Sequence, residues 1–312
     1  MSHHRIQVEG LSFSYPGAKG TLDQVSFEIS HGESVAVIGS NGAGKTTLLN
    51  LLNGILCPSS GRITVGDLIV GEKTLQHVRR TVGTVFQDPD DQLFMPTVFE
   101  DVAFGPLNLG MIEDDCRRLA QTCLEEVGAW HLQDRAPHHL SGGEKRRVAI
   151  AAVLSMSPDI LLLDEPTTGL DARGRRQIIK LLGGFKHSKI IVSHDLDMIL
   201  DLCPRAIILN EGRVEADGPT QELLQDRDLV LRVGLELPAR LAHDRSTPSH
   251  SGDAALSVNR SLKQSDRADS RPQSEPGASS DFRQSALAAC PVCGCVEKQT
   301  QNSGPAGSSP GR

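Results

Sequence analysis

Three short segments of this 312-residue chain combine residue types that could act on a nucleotide. Residues 39–46 have the G-x4-G-K-T spacing, in which backbone amides surround phosphate groups. The acidic pair Asp164-Glu165 follows four aliphatic residues, and the pentapeptide Leu-Ser-Gly-Gly-Glu occupies positions 140–144. A Lys-Thr pair suits phosphate and Mg²⁺, while neighbouring carboxylates suit a metal ion and a proton acceptor. These segments predict chemistry on a nucleotide phosphate.

The first segment would hold phosphates in a loop between a strand and a helix. Residues 34–39 form a short β-branched run, and residues 45–52 have a helical pattern. The helix N-terminus favours negative charge, Lys45 supplies a cation for the terminal phosphates, and the Thr46 hydroxyl suits Mg²⁺. A glycine-rich turn that binds nothing is the alternative, and the full strand–loop–helix context argues against it. The predicted contacts are Gly39, Ser40, Asn41, Gly42, Ala43, Gly44, Lys45, Thr46 and Thr47.

The acidic pair is predicted to lie at the end of a buried strand. Asp164 follows the run Ile-Leu-Leu-Leu, where an unpaired charge would be costly. A Mg²⁺ ion beside Thr46 would account for that charge. Glu165 would then lie at the C-terminal edge of the sheet, where open α/β folds bind ligands. There it could orient the attacking water or take its proton.

The apolar pattern predicts the elements that must position these segments. Residues 6–13 and 25–29 fit a pair of strands at the N-terminus. Between Gln87 and Pro158 the pattern is mainly helical. We therefore predict an α/β fold: a P-loop NTPase core sheet, an N-terminal antiparallel β element and a helical subdomain inserted at about residues 88–157. Further strands are predicted at residues 34–39, 62–65, 82–86, 160–163, 189–193 and 206–209, and the clearest helices at 45–52, 113–127 and 143–154.

Composition and charge exclude several classes of protein. The formal net charge is −7, without the basic excess that phosphate backbones demand, so no nucleic-acid partner is expected. The N-terminus has no apolar leader, and no stretch approaches the roughly 20 apolar residues of a membrane helix. We therefore expect a cytoplasmic protein that reaches the membrane through a partner. Reduced thiols are expected at Cys57, Cys116, Cys123 and Cys203.

In their order along the chain, these motifs resemble those of the ATP-binding subunits of ABC transporters. The resemblance covers about residues 5–240 and implies ATP and Mg²⁺ as cofactors. It also implies a second ATPase subunit that closes the site. We predict a homodimer, with a heterodimer as the alternative, because this chain has every motif that both half-sites need. The residues that the resemblance places on the ATP of the opposite subunit are Ser141, Gly142, Gly143 and Glu144.

The resemblance also implies roles for single residues. Tyr15 would stack on adenine, and Asp171 would cross the dimer interface. Gln87 would sense Mg²⁺ and His194 would contact the γ-phosphate. Taken singly, Tyr15 fits a packed aromatic, Gln87 a polar strand end and His194 a structural histidine. The order of the motifs favours the ATPase roles, with Glu165, His194 and Gln87 as the catalytic residues, and Thr46, Gln87 and Asp164 as the Mg²⁺ ligands.

A second stretch narrows the resemblance within the family. Residues 86–94 and 97–110 look like those of the energy-coupling-factor importers, and residues 88–94 are most similar to the cobalt and nickel branch. The implied partners are a polytopic transmembrane scaffold and a substrate-capturing membrane subunit. The scaffold's coupling helices would enter a groove formed by Asp90, Asp91, Leu93 and Phe94. Cobalt or nickel is the predicted cargo; a vitamin importer and a soluble regulatory ATPase are the alternatives.

The C-terminal region differs in composition from the rest. Ser, Pro, Gly and Gln dominate after about residue 240, and apolar residues become sparse. We predict an ABC ATPase domain at residues 1–243 and a disordered tail at residues 244–312. Cys290, Cys293 and Cys295 have the spacing of half a zinc ribbon, but a closed zinc site needs four ligands. A metal-binding tail that borrows a ligand and an unliganded tail both fit this pattern.

Overall fold

The N-terminal strands form an antiparallel sheet, as their alternating pattern predicts. The computed structural model describes residues 5–17, 20–236 and 240–241. In β2, Val25, Phe27 and Ile29 are buried and the residues between them are exposed, the pattern of a sheet with one face on the core. The sheet has the order β2 (Leu22–Ile29), β1 (Ile6–Phe13), β4 (Ser60–Val65) and β5 (Leu68–Ile69), and all of its neighbouring strands are antiparallel.

A second sheet carries the segments that are predicted to bind phosphate. Its strands are β3 (Ser34–Ile38), β6 (Val82–Val85), β7 (Ile160–Asp164), β8 (Ser188–Val192), β9 (Arg205–Asn210) and β10 (Arg213–Pro219). They lie in the order β10-β9-β3-β8-β7-β6, and every neighbouring pair is parallel except β10 and β9. Strands β6, β7 and β8 are buried along their whole length, as expected of strands covered on both faces. The carboxyl ends of β3, β7 and β8 therefore meet at one edge.

Helices fill the connections between these strands. The connection between β6 and β7 holds α3 (Val98–Asn108), α4 (Glu113–Glu126) and α5 (Gly142–Leu154), with short 3-10 helices at Pro89–Asp91, Trp130–Leu132 and Pro137–His139. This segment lies where the sequence predicts an inserted helical subdomain. The other helices are α1 (Lys45–Leu52), α2 (Leu75–Thr81), α6 (Ala172–Gly184), α7 (Leu196–Leu202), α8 (Thr220–Gln225) and α9 (Arg227–Arg232).

Strand β3 contributes to two hydrophobic cores because its side chains alternate across the sheet. Val35 and Val37 join a core shared with the N-terminal sheet and α1. Ala36 and Ile38 join a core shared with the inserted helices and with α6 to α9. The loop that follows β3 is therefore anchored on a strand that is packed from both sides.

Several elements have no counterpart in the sequence-based prediction. Strand β5 has two residues, and β10 alternates exposed and half-buried residues at the sheet edge, so neither carries a strong apolar signal. Helices α2, α7, α8 and α9 have six or seven residues, too few for a clear helical period. Helix α6 is long enough, and its buried Ile178 and Leu182 have the i, i+4 spacing that would have identified it.

The predicted disordered tail, with Cys290, Cys293 and Cys295, lies outside the described residues. Within the described ranges, Cys116, Cys123 and Cys203 are buried free thiols, as predicted, and Cys57 is half-buried. In the same part of the chain, no helix combines the length and apolar character needed to cross a membrane. No group of three or more His, Cys, Asp or Glu side chains among those residues is arranged to hold a metal ion.

Candidate nucleotide site

The loop between β3 and α1 depends on two glycines. Gly44 has φ +98° at the N-cap of α1, and a Cβ there would lie 2.6 Å from the Leu22 side chain. A Cβ at Gly39 would collide with the carbonyl oxygen of Leu209 on β9. Both positions therefore require glycine. The loop leads directly into the N-terminus of α1, where backbone amides favour a bound anion.

Lys45 is folded into this loop. It is only 8% exposed, and its Nζ donates to the carbonyl oxygens of Gly39 and Ser40, at 2.8 Å each. Burial lowers the pKa of the ammonium, and the nearby carboxyls of Glu165 and Asp164 oppose that shift. The cation thus lies within the predicted phosphate-binding loop, beside the acidic pair.

Thr46 and Asp164 meet directly. The Thr46 hydroxyl donates to Asp164 Oδ2 at 2.7 Å, and Asp164 is 4% exposed. Burial raises the pKa of this carboxyl, while the bond from Thr46 opposes the shift. The two side chains offer hard oxygen ligands, and Gln87 lines the same cavity with a third. This donor set fits Mg²⁺, as the sequence predicts.

Glu165 is held in an unusual backbone conformation. Its φ is +51°, a value that non-glycine residues rarely adopt outside functional or strained positions. The buried carboxylate accepts hydrogen bonds from the backbone N–H of His194 at 2.9 Å, from Ser193 Oγ at 3.1 Å and from Thr168 Oγ1 at 3.3 Å. The His194 ring nitrogen Nε2 lies 3.8 Å from Glu165 Oε1. Glu165 and His194, both predicted to be catalytic, are therefore neighbours.

One cavity of about 290 Å³ unites most of the predicted residues at the carboxyl ends of β3, β7 and β8. Gly39, Ser40 and Ala43 belong to the loop but do not line the cavity. Thr21 and Val192 also line the cavity and were not predicted, because their positions in the sequence carry no chemical signal. The cavity is lined by Thr21, Asn41, Gly42, Gly44, Lys45, Thr46, Thr47, Gln87, Asp164, Glu165, Val192 and His194.

Tyr15 lies beside this loop. Its hydroxyl is 3.3 Å from Thr47 Oγ1, and its ring meets Phe13 edge-on with centroids 4.9 Å apart. The ring is half-buried and does not line the cavity. Adenine stacking by Tyr15 stays a prediction, and its position next to the loop is compatible with it.

The pentapeptide forms a second patch, outside this cavity. Ser141 caps α5, and Glu144 Oε2 accepts bonds from Ser141 N at 2.8 Å and Ser141 Oγ at 2.7 Å. These bonds lower the pKa of Glu144. Gly143 packs on the Gly169 carbonyl, since a Cβ there would be 3.2 Å from that oxygen. None of the residues 141–144 lines the cavity, so this chain does not bring its own pentapeptide to its own phosphate loop.

Asp171 lies next to this patch and caps α6. Its Oδ1 accepts a bond from the backbone N–H of Gly174 at 2.7 Å. The segment just before it, Gly169 and Leu170, is the one that contacts Gly143. Asp171 is exposed and does not line the cavity, so the structure groups it with the pentapeptide and not with the phosphate loop.

The predicted docking groove after Gln87 is partly wrong. Leu93 is 7% exposed and belongs to the core, because the chain turns inward after the short helix Pro89–Asp91. Phe94 is 65% exposed and meets Phe104 edge-on at 4.9 Å. A surface cavity of about 470 Å³ runs beside this aromatic pair, with Asp91 and Ile55 also in its wall. This cavity, called the aromatic groove below, has Phe94, Phe104 and Ile55 as its exposed large apolar side chains, and neither Asp90 nor Leu93 lines it.

Comparisons with known proteins identify the family that this chain resembles. The ABC transporter family model matches residues 22–168. A candidate ABC transporter ATP-binding protein of Geobacter sulfurreducens is 60% identical over 238 residues, which cover 76% of this chain and 96% of that protein. The energy-coupling factor transporter ATP-binding protein EcfA of Methanothermobacter thermautotrophicus is 48% identical over 238 residues, covering 75% and 76%. The cobalt import ATP-binding protein CbiO of Rhodobacter capsulatus is 44% identical over 252 residues, covering 78% and 90%.

A solved structure shares the fold. CbiO1 of Clostridium perfringens, described as part of the ABC transporter complex CbiONQ, superposes with a TM-score of 0.64 at 39% identity. The match covers 77% of this chain and 98% of that one. The predicted α/β fold, with its nucleotide-binding sheet and helices, is confirmed by this likeness.

Proposed function

This chain belongs to the ABC transporter family of ATPases, as an ATP-binding subunit of the energy-coupling-factor type, and from that premise we propose that it powers the import of cobalt or nickel ions. The proposal of ATPase activity rests on one observation. Thr46 contacts Asp164, and Lys45 and Glu165 line the same cavity. The cargo rests on residues 88–94 and on the likeness to the cobalt import protein CbiO.

The separation of the two patches supports a site that is shared between two subunits. The cavity holds the phosphate loop, while Ser141 to Glu144 lie elsewhere on the same chain. In a head-to-tail dimer, each pentapeptide would cover the ATP held by the other chain. A homodimer fits this arrangement because both patches are present here. A heterodimer with a paralogue would give hydrolysis only when that partner is added, so measuring the ATPase rate of the purified chain alone separates the two.

The residues of the cavity would have separate roles in ATP hydrolysis. Lys45 would hold the terminal phosphates, and Thr46, Asp164 and Gln87 would hold Mg²⁺, which neutralises charge on the β- and γ-phosphate oxygens. Glu165 would orient the attacking water and take its proton. The backbone N–H of His194 fixes the Glu165 carboxylate at 2.9 Å, and its ring would reach toward the γ-phosphate.

The aromatic groove would receive a helix of the membrane scaffold. Exposed Phe94 and Phe104 offer apolar area of the kind that anchors a partner helix. We expect Phe94→Asp to reduce recovery of the membrane partner by at least about tenfold, because a desolvated carboxylate opposes docking. The measurement is affinity purification of tagged protein from detergent-solubilised membranes of the native host.

The matched control is Leu231→Asp, which also replaces an exposed apolar side chain, on α9 at 71% exposure. It should recover the membrane partner at the wild-type level. Equal recovery by Phe94→Asp and wild type would place the docking surface elsewhere. Absence of any polytopic membrane protein from the wild-type sample would favour the soluble regulatory ATPase instead.

The cargo is tested by uptake. In a host strain that lacks this subunit, uptake of radiolabelled Co²⁺ or Ni²⁺ should fall to background, and the wild-type gene should restore it. Complementation with Glu165→Gln should fail, because transport requires hydrolysis. Undiminished uptake of both metals would exclude the metal assignment, and loss of vitamin uptake in the same strain would support the vitamin importer.

A further inference from the structure

A buried arginine of α5 lies beside the phosphate site. Arg146 is 5% exposed, and its guanidinium donates to the carbonyl oxygens of Phe86 at 2.8 Å and Gln87 at 2.5 Å. Its Nε has no hydrogen-bond partner among the described residues. Arg146 also lines a cavity of about 860 Å³ together with Gln87, Thr46 and Asp164. A buried cation is costly, so its retention here needs a reason.

The loop that carries Gln87 has no regular structure to pair its carbonyl groups. Strand β6 ends at Val85, and the next short helix begins at Pro89. The Phe86 and Gln87 carbonyl groups are part-buried where they meet Arg146, and backbone carbonyl groups with reduced access to water need protein donors. Arg146 supplies both donors from a planar fork, which suits two successive carbonyl oxygens better than a single ammonium does. It therefore determines where the Gln87 backbone lies.

Two further contacts join the same loop to the same helix. Gln92 Nε2 donates to the carbonyl oxygen of Ala149 at 2.7 Å, and Lys145 Nζ lies 2.6 Å from Asp90 Oδ1. The three attachment points on the helix, residues 145, 146 and 149, all lie in its first two turns. Arg146 is the most buried of the three side chains that make these contacts.

Helix α5 begins at the pentapeptide patch, and the loop that carries Gln87 is bound to the same helix. The loop and the patch should therefore move together. Ser141 caps the helix, and Arg146 follows it by little more than one turn. A helix transmits a displacement along its axis because its backbone hydrogen bonds resist bending. A shift of Gln87 at the ATP of this chain would therefore move Ser141, which faces the ATP of the other chain.

We propose that Arg146 is a positioning residue that links Gln87 to residues 141–144 and thereby couples the two ATP sites of the dimer. The proposal rests on the shared-site dimer of the proposed function. This role accounts for the buried cation. The link has to persist while the loop moves, and a guanidinium that donates two charge-assisted hydrogen bonds holds both carbonyl groups during that movement.

The test compares full-length wild type with Arg146→Met, Arg146→Lys and the control Arg176→Met, which removes an exposed arginine from α6. Methionine keeps much of the side-chain volume but offers no donor. We expect wild type to hydrolyse ATP with a Hill coefficient above 1. Arg146→Met should bring the coefficient to about 1 and lower kcat about tenfold, while the Kd for ATP changes less than about threefold. Arg146→Lys, which keeps the positive charge but replaces the planar fork with a single ammonium, should fall between them.

Melting temperatures of all variants separate coupling from stability. A purely structural arginine would lower the melting temperature and leave the Hill coefficient of the remaining folded protein unchanged, and that result overturns the proposal. If Arg146→Met does not fold, Arg146→Lys decides: wild-type cooperativity and kcat in that variant also overturn it. In either case a cooperative wild type leaves the proposed function standing. A wild type that neither dimerises nor hydrolyses ATP removes the proposed function and this proposal together.

Discussion

Glu165→Gln is expected to lower the rate of ATP hydrolysis by about 10²–10³-fold and to leave ATP binding within about twofold of wild type. The amide keeps an oxygen that can accept the bond from the His194 N–H, now 2.9 Å from the carboxylate, so the local structure should persist. It cannot accept a proton from water. Because ATP then stays intact, the two subunits should remain closed around it. Size-exclusion chromatography with MgATP should show a stable dimer that wild type forms only transiently.

The matched control is Glu211→Gln. Glu211 is also a glutamate with positive φ, +47°, but it lies exposed in the turn between β9 and β10. Its substitution should change neither rate nor dimer lifetime. Hydrolysis by Glu165→Gln at the wild-type rate would show that another group activates the water, and the hydroxyls of Ser193 and Thr168 would then be the nearest polar side chains to examine.

Lys45→Met is expected to weaken ATP binding by about 100-fold and to abolish measurable hydrolysis. Among the described residues, Lys45 is the one Lys or Arg that lines the nucleotide cavity, and charge-assisted bonds to phosphate are among the strongest in proteins. Its loss also removes the two 2.8 Å bonds to the Gly39 and Ser40 carbonyl groups, which would loosen the loop. Binding is measured by titration with a fluorescent ATP analogue, and rates by phosphate release.

Lys189→Met supplies the control, because Lys189 is a second buried lysine, 5% exposed, on β8. Its Nζ donates to the Phe185 carbonyl oxygen at 3.1 Å, away from the nucleotide cavity. Burial lowers the pKa of both lysines, so both substitutions remove a desolvated ammonium. Only Lys45→Met should bind ATP more weakly than wild type. Equal ATP affinity in the two variants would mean that Lys45 is structural.

Local sequence patterns were sufficient to predict the strand, loop and helix on which the site is built. The run 34–39, the glycine-rich loop and the helix from Lys45 are contiguous, so alternation, glycine spacing and helical period identified all three. The acidic pair was also found locally, because a charge directly after four aliphatic residues marks the end of a buried strand. Parallel strands expose their carboxyl ends at one edge, so the general position of Glu165 followed from the fold class.

The directions of the Leu93 and Phe94 side chains could not be predicted from the local sequence. The two residues are adjacent and both apolar, so the sequence assigned both to the groove. Leu93 packs into the core and Phe94 points outward. The direction of a side chain in an irregular segment depends on what packs around it, and no period of 2 or 3.6 applies there.

By itself, the sequence determined which residues could do chemistry and which elements carry them, because helix and strand patterns and turn glycines act over a few positions. The sequence predicted Thr46 and Asp164 beside one Mg²⁺, but tertiary structure alone decided which side chains bond directly. Thr46 and Asp164 are 118 positions apart and share a hydrogen bond, while Ser141 to Glu144 lie outside the cavity that both line. Arg146 reaches the Gln87 carbonyl group across 59 positions. Such contacts depend on strand order and helix packing, which are set by burial of the whole core and leave no periodic trace in the chain.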